Sequence, residues 1–225
     1  MTLYLKLNLI IISIPLLLSF DRNVRYYKKY KYVFAAMVPV SLAYIVWDIF
    51  ATGAGHWHFN PLYVGNATII NLPLEEVLFF VTVPFSCLFI YEVLNFYLGE
   101  KALRFNPLLS KFFFIPFLVL ALLFRNRPYT FIVMLSCAFF FILAAIFSRG
   151  MLRSRLYYLY ILICFIPFFI FNYILTMKPV VEYGSEAITN LRVLTIPVED
   201  FFYNFGMLSF YLLVYLKVKE KWKGK

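Results

Sequence analysis

The chain is poor in charge. Only 14% of its 225 residues are Asp, Glu, Lys or Arg, against 64% hydrophobic and 22% aromatic, and the mean hydropathy is +0.83. A soluble domain of this size has too little interior to hide that much apolar surface. A bilayer removes the problem, because lipid takes the place of the core. Aspartate is scarcer still: Asp21, Asp48 and Asp200 are all there are, so no Asp-rich motif exists to hold magnesium and a diphosphate. Cys87, Cys137 and Cys164 all lie in apolar runs, too far apart in sequence for metal-ligand spacing, and read as small packing residues. No glycine-rich dinucleotide fingerprint appears. His56 and His58 flank Trp57, but no further His or Cys completes a metal site. They read as loop residues beside an interfacial tryptophan.

What is present is a series of long apolar runs without strand alternation, which points to helices rather than a barrel. A spanning helix needs about 20 residues. Leu3–Phe20, Val33–Phe50, Leu74–Leu98, Lys111–Phe124, Tyr129–Ser148, Leu156–Met177 and Glu199–Leu216 predict an all-α membrane protein of seven transmembrane helices. The fourth run is the weakest, being short and carrying Pro116. The first lacks the strong basic start and small-residue cleavage site of a signal peptide, so it reads as a span.

The net charge of +10 alternates with these spans. Arg22, Arg25, Lys28, Lys29 and Lys31 follow the first, and Lys101, Arg104 and Lys111 the third. Arg149, Arg153 and Arg155 follow the fifth; Lys217, Lys219, Lys221, Lys223 and Lys225 follow the seventh. The opposite loops hold only Arg125, Arg127, Lys178 and Arg192. Basic loops face the cytoplasm. The expectation is an inner-membrane protein with its N-terminus outside and its C-terminus cytoplasmic, in which positive charge sets orientation and does not bind nucleic acid.

The chain also repeats. Shifted by 124 residues, Pro73-Leu74-Glu75-Glu76 falls on Pro197-Val198-Glu199-Asp200, Thr52 on Thr176, Asn66 on Asn190 and Tyr91 on Tyr215. Asp48 falls on Asn172, and Arg25, Lys29 and Lys31 fall on Arg149, Arg153 and Arg155. Two parallel three-helix repeats are predicted, 1–98 and 129–225, joined by a connector over 99–128 that carries the fourth helix. The fourth span gives both repeats the same polarity, related by a pseudo-twofold axis along the membrane normal.

Each Pro-x-Glu-acid motif opens a span. Proline suits a helix start, and acids suit the first turn, where the helix dipole favours their charge while burial opposes it. Such acids serve as interfacial caps, yet acids at membrane depth are rare and usually functional. Neighbours on a helix point about 100° apart, so at most one acid of each pair faces a cavity squarely. The other is left to pair with Arg192, Asn66, Asn190 or solvent. Asp48 and Asn172 suit the same cavity, and Phe79, Phe80, Phe201, Phe202 and Tyr203 follow the acids directly. Glu92 falls near the cytoplasmic end of the third span, within reach of the interface. No lysine sits in the middle of the seventh span, so a retinal Schiff base is not available.

At these two motifs the chain resembles the membrane-embedded lycopene cyclase family. That family occurs as two small subunits in some bacteria, as one fused chain in others and in haloarchaea, and as a domain of fungal bifunctional carotenoid enzymes. Its signature, Pro-x-Glu-(Glu/Asp) once per half, stands here at Pro73–Glu76 and Pro197–Asp200. The resemblance covers nearly the whole chain and fits the fused form. It implies cyclisation of the ψ-ends of lycopene to β-rings by an acid and a base, with no net redox change and no cofactor, flavin included. It implies Glu75 and Glu199 as the leading catalytic residues, Glu76 and Asp200 as their partners, and acid and base unassigned among them. Asp48, Asn172, Phe79, Phe80, Phe202 and Tyr203 are the expected substrate contacts. Lycopene and other carotenoids, membrane lipid and other carotenoid-pathway enzymes are the implied partners. Two other readings stay open: a related cyclase making ε- or γ-rings or acting on longer carotenoids, and a proton-coupled membrane carrier. Against the carrier, no Gly-Pro pair breaks a span at matching positions, and Pro39 and Pro167 are not repeat equivalents.

Overall fold

A computed structural model describes residues 1–103, 109–148 and 150–223. Arg104, Arg149 and Lys225, counted above among the basic residues, lie outside the described residues. Seven helices carry most of the rest: α1 (Leu3–Leu18), α2 (Tyr30–Gly53), α3 (Leu74–Leu98), α4 (Phe114–Leu123), α5 (Pro128–Phe147), α6 (Arg155–Met177) and α7 (Val198–Lys223). In lipid the backbone must satisfy its own hydrogen bonds, which these apolar sequences do as helices. Side chains supply what the ends lack. Thr2 Oγ1 caps α1 by accepting from the Leu5 N–H, and Ser154 Oγ caps α6 by accepting from the Tyr157 N–H.

Helices α2, α3, α5, α6 and α7 are long and apolar enough to cross a membrane. Helix α1 has 16 residues and α4 only ten, both short of the usual span. The fourth run is therefore corrected: α-helix begins at Phe114 rather than Lys111, after a 3₁₀ turn over Leu109–Phe112. Pro116 is the reason. It has no N–H to return to residue 112, and its ring crowds that carbonyl, so it is tolerated only in a first turn. Helix α7 extends beyond the expected Leu216 as far as Lys223.

The connections read as loops contain short strands: β1 (Trp57–Phe59), β2 (Thr68–Ile69), β3 (Leu72–Pro73), β4 (Val181–Tyr183), β5 (Arg192–Val193) and β6 (Ile196–Pro197). Two hairpins, β2–β3 and β5–β6, lie 124 residues apart, and each bends through a left-handed residue, Ile70 in the first and Leu194 in the second. Strands β1 and β4 pair antiparallel, Trp57 with Tyr183, His58 with Glu182 and Phe59 with Val181. The backbone bonds beside them match as well: Asn60 N–H to Val180 O, and Gly184 N–H to His56 O.

Helix packing is reciprocal. Helix α1 packs on α3 as α5 packs on α7, while α2 crosses to α7 and α6 crosses to α3. The interior is largely aromatic, with Tyr26, Phe80, Phe140, Tyr157, Tyr160 and Tyr211 fully buried. Glu92 is turned into the protein rather than toward solvent. It is 0% exposed and held by Lys29 and Lys219, each at 2.5 Å, and by the Tyr215 hydroxyl at 2.6 Å. This cluster ties α3 and α7 to the segment ahead of α2.

Candidate active site

The two hairpins deliver their prolines as the last strand residues, and a helix starts at the next position in each case. The acids that follow separate by helix phase. Glu75 Oε1 accepts from Thr2 Oγ1 (2.7 Å) and from the Gly65 N–H (2.9 Å). Glu199 Oε1 accepts from Thr130 Oγ1 (2.6 Å) and from the Thr189 N–H (2.7 Å) and hydroxyl (2.8 Å). Each first acid thus pins its helix start to a neighbouring helix end and to the preceding loop. The partners proposed for them are engaged elsewhere, Arg192 with the Thr195 carbonyl and Asn190 with the Ser185 carbonyl.

One residue on, Glu76 and Asp200 turn into a groove of about 310 Å³. Glu76 Oε2 accepts from the Tyr4 hydroxyl at 2.5 Å. Asp200 accepts from three donors: the Tyr129 hydroxyl (2.8 Å), Asn172 Nδ2 (2.8 Å) and the Tyr183 hydroxyl (2.7 Å). Asp48, from α2, accepts from Trp57 Nε1 (2.8 Å) and Thr52 Oγ1 (3.2 Å), and its carboxyl lies within hydrogen-bond reach of Glu76. All three acids are buried. Tyr183 sits in the β4 connection, where burial first and the Asp200 carboxylate second push its phenol well above the ordinary range, so it stays a donor.

The carboxyl groups gather at one end. From Glu76 the α3 wall runs through Phe79 and Val83 to Ile90. That is 14 residues, or about 21 Å at 1.5 Å per residue. Phe168 and Phe171 of α6 form another wall. On the α1 side Ile10 and Ile14 line the groove while 56% and 63% exposed, so it opens laterally to lipid. Cys87 and Cys164 meet in the wall between α3 and α6 as free thiols.

Of the residues the sequence singled out, Glu76, Asp200, Asp48, Asn172, Phe79 and Tyr203 line the groove. Glu75, Glu199, Phe80 and Phe202 do not. Phe80 turns into the core against Tyr44, and Phe202 turns toward Phe117 of α4. Sequence reasoning missed Tyr4, Trp57, Tyr129 and Tyr183. Tyr4 and Tyr129 correspond: each donates its backbone N–H to a carbonyl of the opposing loop, Tyr63 or Ala187, and its hydroxyl to the second acid of a motif. They stand 125 residues apart, one more than the shift that aligns the motifs, so an ungapped comparison passes over them. His56 and His58 stay out of the groove; His58 Nε2 is 3.5 Å from Glu182 and burial lowers the His56 imidazole.

Fold and site together define a helical membrane protein with carboxyl groups at one end of a lipid-open apolar groove. A family model for lycopene cyclase matches residues 1–94 and 126–218, and the chain belongs to that family. No curated protein and no solved structure matches it. Membership carries a lycopene cyclase activity on a carotenoid substrate in a membrane.

Proposed function

We propose that this protein closes β-rings on the ψ-ends of lycopene, giving β-carotene by way of γ-carotene, through proton transfer alone. The observation that carries the reading is the meeting of Glu76, Asp200 and Asp48 at one end of a long apolar groove open to lipid. A linear polyene enters such a groove from the bilayer and brings its end group to the acids. Protonation of the terminal double bond makes a tertiary cation, the neighbouring double bond attacks it and closes a six-membered ring, and a base removes a ring proton. Atoms and electrons are conserved, so the reaction is an isomerisation and calls for no redox cofactor. The apolar walls keep water from the cation, and the faces of Phe79, Trp57 and Tyr203 suit it. Glu76 and Asp200 replace Glu75 and Glu199 as the leading pair, because they are the acids that face the groove. Glu75 and Glu199 position the helix starts.

The topology proposed with this function has seven spans in two repeats, 1–98 and 129–225, with 99–128 as connector, the N-terminus outside and the C-terminus cytoplasmic. The recurrence of the two hairpins 124 residues apart and the reciprocal helix packing support the repeats, and the β1–β4 pairing about His58 and Glu182 is what a twofold axis between them produces. In support of the fourth span, Phe113 meets Phe141, which lies 13 residues into α5, so α4 and the turn ahead of it accompany α5 for about 20 Å.

The test is expression in a bacterium that accumulates lycopene, with pigment chromatography. β-Carotene is the expected product. Glu76→Gln and Asp200→Asn, at undiminished protein level in the membrane, are expected to lower ring formation by about 100-fold or more. Unchanged lycopene alongside wild-type protein in the membrane would overturn the reading.

A further inference from the structure

The two halves supply the same positions with different chemistry. In the second half Asn172 places an amide donor on Asp200, which also receives the hydroxyls of Tyr129 and Tyr183. Three donors suit an ionised carboxylate, and no hydrogen on Asp200 is needed to satisfy them. In the first half the position of Asn172 is taken by Asp48. Two carboxyls then face each other, and both are acceptors unless one carries a proton. Asp48 Oδ2 is buried and has no donor. One proton held between Asp48 and Glu76 supplies that donor and removes the repulsion of two like charges in a dry site. Among the described residues the groups facing Glu76 are Tyr4 from α1, which donates its hydroxyl to Oε2, Asp48 from α2, Tyr183 from β4, and Asp200 and Tyr203 from α7, none of them a cation.

We propose that Asp48 and Glu76 share one proton and form the acid of the reaction, and that Asp200 is its base. This rests on the cyclase reading above. The shared proton passes to C2 of the terminal C1=C2 bond of lycopene, leaving a cation at C1. The C5=C6 electron pair forms the C1–C6 bond and moves the cation to C5. Asp200 takes the proton from C6, and the C–H electrons restore the C5=C6 double bond. One proton enters, one leaves, and nothing is oxidised or reduced. Between turnovers Asp200 gives up its proton and the Asp48–Glu76 pair regains one. Glu76 is the catalytic acid and Asp48 a positioning residue that holds the proton on it.

The experiment uses the purified full chain with lycopene in D₂O, reading deuterium in all recovered carotenoid by mass spectrometry and ring formation by chromatography. The wild type is expected to place one solvent deuteron in each ring. Asp48→Asn gives Glu76 the donor that Asp200 already has, so both label and rings should fall at least ten-fold. Asp200→Asn should lose rings by at least ten-fold yet still label, either in returned lycopene or in ring isomers and water-quenched products. Asn172→Asp, which sets a carboxyl beside Asp200, should likewise keep the label while losing rings, and it carries the test even if Asp48→Asn folds poorly by circular dichroism. Loss of label in both Asp200→Asn and Asn172→Asp, or full labelling by a folded Asp48→Asn, overturns the assignment. Failure of the wild type to close rings would instead refute the cyclase reading itself.

Discussion

Helix phase divides each motif between two tasks. Glu75 and Glu199 spend their hydrogen-bonding on loop N–H groups and threonines, while Glu76 and Asp200, about 100° round the helix, face the groove. Glu75→Gln keeps an oxygen for the Gly65 N–H and is expected to retain ring formation within about three-fold. Glu75→Ala leaves that N–H without its partner and should cost about 1–3 kcal/mol of stability, read as a lower midpoint in thermal unfolding. Tyr129→Phe removes a donor from Asp200 without moving the ring. A hydrogen bond to a charged group contributes about 1.5–3 kcal/mol, so Tyr129→Phe should lower the stability of the fold by about that much, read as a lower midpoint in thermal unfolding. The acid pairs and the Asp48–Asn172 correspondence were legible in the sequence, because duplication printed them twice. Which acid of each pair faces inward was not, since both orientations agree with one residue string until α1 and α5 are docked. Trp57 was legible only as an interfacial aromatic; its bond to Asp48 exists because β1 folds back over the end of α2.

The β1–β4 ribbon is the element that brings Trp57 and Tyr183 to the acids, and a glycine makes its close pairing possible. A Cβ on Gly184 would lie 2.5 Å from the Gly55 carbonyl oxygen, where no side chain can yield. Gly184→Ala must therefore push the strands apart. Overpacking of this kind costs about 1–3 kcal/mol, and here it should also reduce ring formation, because Tyr183 leaves Asp200 as the strand moves. Gly55→Ala fails for a different reason, its φ of +73°, and makes the comparison variant. Equal activity of Gly184→Ala and wild type at matched protein levels would mean that the ribbon does not position the site. Strands of two or three residues carry no periodicity, so the connections read as loops. The five long helices were plain in the hydropathy, and α3 in particular begins and ends where its apolar run does.

At the scale of the whole molecule, two halves with two acid motifs contribute to one groove. Asp48, Glu76 and Phe79 come from the first half, Asn172, Asp200 and Tyr203 from the second, and all meet at the same end. The two halves do not bring equivalent groups, since the first has the carboxyl of Asp48 where the second has the amide of Asn172, and the reading proposed above therefore gives them one site between them. A symmetric substrate with two ends must then present them one after the other to a single constellation. On the reading proposed above each turnover closes one ring, and the second ring requires the polyene to leave the groove and return reversed, since the acids stand at one end of it only. Monocyclic γ-carotene should consequently appear ahead of β-carotene in a time course. A chase of unlabelled lycopene added at that stage should compete with it, lowering conversion of the labelled monocycle in proportion to the excess. β-Carotene that forms without a free monocycle, and that ignores the chase, would require both ends to be processed without release, which one groove with one set of acids does not allow.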